Sequence, residues 1–227
     1  MVGDSEAFAI MAACFSVPSE EEWNKTASSH VWPEFLDALR RLLKYGACSE
    51  KARTPFRSKE SLRESLSSEE TSALFSPPSF EQLSRFAARH FMGGLPQSAV
   101  PVESLYVNGV THELLEEGGK GFYGTDVSSY MRDLSEALGL ELAPRFESYP
   151  DHLSVELEVL AYLVDQKMCE PAWQFLRERF AWLTNYRKRL LSLGSAANFH
   201  LAIVDVVLDI RAIAPQPDDV LPVSSSV

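Results

Sequence analysis

The stretch Glu147-Ser-Tyr-Pro-Asp-His-Leu-Ser-Val-Glu-Leu-Glu158, continued by Val-Leu-Ala-Tyr-Leu-Val-Asp-Gln-Lys167, decides the fold. A residue that precedes proline is pushed out of the α region, so Pro150 ends an extended approach. Asp151 then stands where an N-cap belongs, with a carboxylate able to satisfy the free N–H groups of a following helix. From that point Leu153, Val155, Leu157, Val159, Leu160, Leu163 and Val164 are apolar on more than one side of a helical wheel. Such a helix belongs at the centre of a core. Leu157→Ala or Leu160→Ala is therefore expected to act as a core truncation. His152 and Glu156 fall one turn apart and share a helix face.

Working outward, the chain reads as helical throughout. Ser19-Glu-Glu-Glu22 is a capping box. Val31, Phe35, Leu36, Leu39, Leu42 and Leu43 recur at helical spacing. Ser79 with Gln82 opens a further helix whose apolar face (Phe80, Leu83, Phe86, Ala87, Phe91) runs to Gly93-Gly94. Asp126 to Leu138 reads as a helix capped by Asp126 and closed by Gly139. Pro171 suits a first helical position, starting one long helix to about Leu193, and Ser195 caps the last, up to Ile213. Val100–Val110 is β-favouring and holds the turn dipeptide Asn108-Gly109, but no second alternating run matches it, so it reads as an ordered loop. Ala47–Lys59 and Gly118–Gly124 read as surface connections, and the proline- and serine-rich end as disordered.

The expected architecture is all-α: a compact multi-helix bundle with essentially no sheet. It divides into two closely packed helical subdomains, residues 1–145 and 146–213, joined by a hinge near 141–150 and followed by a tail at 214–227.

The formal net charge of −11 is unevenly spread: −2 over residues 1–100, −10 over 101–170 and +1 over 171–227. Phosphate binding wants a basic face, so a nucleic-acid partner is disfavoured and a cationic one fits. Most of the acids, Glu113, Glu116, Glu117, Asp133, Glu136 and Glu141 among them, read as solvated faces. No run approaches a membrane span, and Met1–Val17 lacks the basic start of a secretory signal, so a cytoplasmic protein without stable membrane insertion is expected. Cys14, Cys48 and Cys169 are scattered and odd in number, which suits reduced thiols rather than a disulfide framework or a metal knuckle.

Catalytic signals are absent. The histidines show no paired ligand spacing, there is no Cys-x-x-Cys, and Gly118-Gly-Lys-Gly121 is only a fragment of a phosphate loop. Ser104 and Ser128 lack a nucleophile-elbow setting. No metal, cofactor or enzymatic activity is expected. An Asp-His pair at a helix start serves either as a structural cap or as a partner contact, and the residues alone leave both open.

Residues 147–158 resemble the Glu-x-x-x-Asp-His-Leu-x-x-Glu-Leu signature of the TorD/DmsD/NarJ family of redox-enzyme maturation chaperones. Leu74-Phe75-Ser76-Pro77 is similar to the family's Leu-Phe-x-x-Pro, and Val100–Tyr106 to its Pro-Tyr-Glu-Ser-Val-Tyr block, with Val102 in place of the tyrosine. Val127, Tyr130 and Leu138-Gly139-Leu140 occupy the place of the helix before the signature. Phe175-Leu176, Trp182 and Phe199-His200-Leu201-Ala202 resemble its C-terminal elements, although Arg179 stands where the family usually has histidine. The resemblance spans roughly residues 68–210.

It implies a TorD-like bundle that assists assembly and cofactor insertion in a molybdopterin oxidoreductase of the dimethyl-sulfoxide-reductase type. Its partners would be the apoenzyme's catalytic subunit and that subunit's twin-arginine leader peptide. A monomer and a domain-swapped dimer are both compatible. A leader receptor needs carboxylates that take guanidinium forks beside an apolar groove. The candidate contacts are Glu103, Ser104, Tyr106, Glu147, Tyr149, Pro150, Asp151, His152 and Glu156, with Leu153 and Leu157 alongside. On this reading Asp151→Ala, His152→Ala and Glu103→Ala lower peptide affinity without unfolding the protein. Trp173, Trp182, Phe175, Phe180 and Tyr186 read as core. The alternative is an all-helical regulatory adaptor for another basic or amphipathic peptide. A small hydrolase built on His152 has least support. Co-purification of a molybdoenzyme separates the first two.

Overall fold

The computed structural model describes residues 1–48, 66–93, 96–107 and 126–215. Among these the fold is all-α, as expected: α1 (Asp4–Ser16), α2 (Glu20–Thr26), α3 (Val31–Tyr45), α4 (Ser68–Phe75), α5 (Phe80–His90), α6 (Asp126–Ala137), α7 (Leu153–Asp165), α8 (Cys169–Arg179), α9 (Leu183–Leu191) and α10 (Asn198–Ala212). The only strand-like feature among the described residues is one antiparallel bridge, Val102 with His152. The surface connections expected beyond Cys48 and at Gly118–Gly124, the Asn108-Gly109 turn and the tail from residue 216 lie outside the described residues.

Local chemistry sets several boundaries. The Ser19–Glu22 and Ser79–Gln82 capping boxes form, and so does Ser67–Glu70 at the start of α4, which the sequence expectations did not include. Gly139 adopts φ +70° and ends α6. Leu140 N–H donates to Ser135 O at 2.9 Å and Gly139 N–H to Glu136 O at 2.9 Å. Two otherwise orphaned carbonyls are thereby satisfied. Lys167 adopts φ +59° and ends α7 in the same way. There Met168 N–H donates to Leu163 O at 2.9 Å.

Three boundaries differ from expectation. The helix containing Pro171 starts at Cys169, which places the proline within the first turn, where its missing N–H costs nothing. The long helix to Leu193 is broken at Phe180–Trp182, where the chain turns so that both flanking rings enter the core. A 3-10 turn, Gly194–Ala197, leads into α10, so Ser195 is not its cap.

The expected central helix, α7, buries nine of its residues, but it shares the centre with α10, which buries ten. The most extensive helix pairing sets α1 against α7, and α4 lies on α10, so both halves of the chain contribute to one hydrophobic cluster. Trp32 Nε1–H donates to Leu74 O at 2.9 Å and Trp23 Nε1–H to Pro78 O at 2.8 Å, which tie the Leu74-Phe-Ser-Pro77 turn to α2 and α3. No helix among the described residues is long and apolar enough to cross a membrane.

Candidate functional site

The loop Pro101–Tyr106 is zipped onto the signature segment by its backbone. Glu103 N–H donates to Asp151 O at 3.0 Å, and Leu153 N–H donates to Pro101 O at 2.8 Å. Two stretches that the sequence holds far apart thus form one unit, completed by α6, α8 and α9.

Asp151 does not cap α7. The N-cap is His152, whose Nδ1 accepts from Ser154 N–H at 3.1 Å. Fully buried, the Asp151 carboxylate instead accepts from Ser104 N–H at 2.9 Å and from Ser128 Oγ–H at 2.5 Å. It joins the loop, α6 and the entry to α7. Either residue type can cap a helix, and the long-range donors decide which one does. Asp151→Leu keeps roughly the shape but strips the buried Ser104 N–H of its acceptor; a loss of about 1–3 kcal/mol in urea unfolding is expected. With these partners, Asp151→Ala and Glu103→Ala are expected to lower stability as well as any effect on affinity.

Glu156 and Glu103 form the second knot. Glu156 is fully buried and its Oε2 accepts from Trp182 Nε1–H at 3.1 Å. Burial raises both carboxyls above their usual range, and the nearby Glu103 charge raises Glu156 further, well above it. Glu156 accordingly holds a proton and donates it to Glu103, whose own carboxylate takes the Arg179 guanidinium. That guanidinium also lies 5.0 Å from the Tyr130 ring centre, within cation–π range. Tyr106 stacks on Trp182 with ring centres 5.6 Å apart, an offset arrangement that aromatic pairs favour. The Tyr106 carbonyl accepts from Asn185 Nδ2–H at 3.2 Å. Trp182, Phe175, Phe180 and Tyr186 are buried, consistent with a core role.

The candidate residues therefore separate into two sets. Glu103, Ser104, Pro150, Asp151, His152 and Glu156 are buried, and Tyr106 and Tyr149 are partly buried. Glu147 alone is exposed. It lines a cleft of about 450 Å³ together with Arg132, Ser135, Glu136, Leu140, Glu141 and Leu142. Glu136 and Glu141, read from sequence as solvated faces, thus share a concave surface with the start of the signature. Nothing in their local sequence marks this, because α6 and the link to α7 meet only in the fold. Ser128 and Arg179 were likewise invisible as partners of Asp151 and Glu103. Among the described residues no group of three or more His, Cys, Asp or Glu side chains could hold a metal ion.

Two buried histidines set a pH dependence. Burial lowers His152 and His200 to about 3, from an ordinary value near 6.5. His200 stays neutral with Nε2–H on Cys14 O at 3.2 Å. The unfolded chain takes up the protons that the folded chain refuses. Their contribution is thus complete above pH 6.5 and is lost as pH falls toward 3. Each histidine adds up to about 1.4 kcal/mol per pH unit to that slope. Urea unfolding of His200→Phe across this window should show a slope shallower by that amount; an unchanged slope would mean that His200 is protonated in the native state.

The sequence model of the nitrate reductase delta subunit family matches residues 50–192, which include the loop, α6, the signature and α8. The chain belongs to this family. No curated protein and no solved structure matches it. Members of the nitrate reductase delta family are chaperones rather than enzymes, and they act in the maturation of molybdoenzymes. The chain is accordingly a maturation chaperone with a molybdoenzyme subunit as its partner.

Proposed function

We propose that this chaperone works in the cytoplasm and recognises its client, a molybdopterin oxidoreductase catalytic subunit, through the basic twin-arginine leader, holding it during cofactor insertion. The observation that carries this reading is the cleft beside the signature: three carboxylates, Glu136, Glu141 and Glu147, stand around two leucines, Leu140 and Leu142. Carboxylates take guanidinium forks in pairs of hydrogen bonds, and an apolar floor suits the uncharged middle of a leader. One guanidinium, Arg132, is already present and donates to Glu147 O at 3.0 Å, which leaves that residue's carboxylate for a ligand.

On this reading Glu147, Tyr149 and Tyr106 contact the client. Glu103, Ser104, Pro150, Asp151, His152 and Glu156 hold the surface in shape from behind. Calorimetric titration with a synthetic twin-arginine leader tests the reading. Affinity should fall as ionic strength rises, because exposed charges are screened beyond about 8–10 Å near physiological salt. It should also fall when both arginines of the peptide become glutamine. Binding indifferent to both changes would exclude leader recognition by the acidic cleft.

A further inference from the structure

Cys48 follows the end of α3 and Cys169 opens α8, yet the fold brings the two thiols close enough to influence each other. An independent contact fixes the same juxtaposition. Trp173, one turn along α8 from Cys169, donates Nε1–H to Ala47 O at 2.9 Å. The chain reaches α8 through a sharp turn, with Gly46 at φ +73° and Cys48 at φ +63°. Ala47 is 2% exposed and is part of the core, so this turn is held against α8 rather than hanging free. Cys48 and Cys169 are both half-buried, whereas Cys14 is fully buried.

We propose that Cys48 and Cys169 form a dithiol–disulfide pair, an oxidation site that covalently ties the end of α3 to the start of α8. The oxidant is a small disulfide such as oxidised glutathione. One cysteine sulfur, as thiolate, attacks a sulfur of the oxidant and releases one thiolate, leaving a mixed disulfide on the protein. The second cysteine then attacks the bound sulfur and expels the other thiolate. Two protein thiols lose two electrons and two protons, and one small disulfide becomes two small thiols. Either half-buried thiol can make the first attack, and the other, held beside it, resolves the mixed disulfide. The product closes a loop across more than half the chain, and it restricts the unfolded state more than the folded one.

The test treats the folded, reduced protein with oxidised glutathione. Titratable thiols should fall from three to one, with no disulfide-linked dimer. Tryptic mass spectrometry should find the Cys48 peptide joined to the Cys169 peptide. The oxidised wild type should melt at a higher temperature than the reduced form, a shift absent in Cys48→Ser and Cys169→Ser. The mass-spectrometric result is obtained on the wild type, so it stands even if a serine variant folds poorly. Retention of three thiols, glutathione remaining on a single cysteine, or linkage between chains would each overturn the proposal.

Discussion

Replacing Arg179 by methionine should cost about 3–5 kcal/mol of stability at neutral pH, one of the two largest effects expected in this protein. The Arg179 guanidinium is the countercharge of Glu103, whose side chain is only 5% exposed. Without it the Glu103 carboxylate keeps the hydrogen bond from Glu156 but stands beside a second buried carboxyl with no positive partner. Two carboxyls would then share one proton in a site that disfavours the charge that remains. The loss should shrink as pH falls and Glu103 takes up a proton of its own. Adding Glu103→Gln to Arg179→Met should recover most of it, because a neutral amide needs no countercharge. A double-mutant cycle in urea at several pH values measures this coupling. A loss below about 1 kcal/mol that did not vary with pH would mean the pair is screened by water like an ordinary surface bridge.

The second large effect is Leu157→Ala, with an expected loss of about 2–5 kcal/mol from removed apolar contact and the cavity left behind. Leu157 is completely buried on α7, within the cluster that α1 and α10 help to close. For a chain of this size each kcal/mol lowers Tm by roughly 2–4 °C, so calorimetry reads the change easily. Leu160→Ala, equally buried, should behave alike. A negligible shift for either would mean that the core around α7 collapses onto the gap or is not packed as described.

What the sequence disclosed follows from how local each signal is. The α2 and α5 capping boxes lie within four residues and were legible directly, and so was the amphipathic spacing of α3. The apolar positions of α1 were not: Ala7, Phe8, Met11, Ala12, Cys14 and Phe15 are buried on several sides, so no polar stripe marks a period. The break between α8 and α9 carries no glycine or proline. It exists because Phe180 and Trp182 both find space in the core, and Trp182 finds Glu156.

The signature was legible as a motif but not as a geometry. Asp151 looked like a cap because the cap rule is local, whereas its true donors, Ser104 and Ser128, come from 47 and 23 residues away. The same holds for Glu103, whose Arg179 lies 76 residues downstream. Asp151 and Glu103, chosen as ligands for a client's guanidinium, find their partners within the protein. The exposed acids of the neighbouring cleft had been set aside as solvated faces.

The most direct test of this division between frame and contact surface is leader-peptide affinity in the triple variant Glu136→Gln, Glu141→Gln, Glu147→Gln. The three exposed charges should together contribute about 1–3 kcal/mol, so Kd should rise roughly 5- to 150-fold while Tm stays close to that of wild type. Unchanged affinity at unchanged Tm would contradict the account and return the binding surface to some other face of the chaperone.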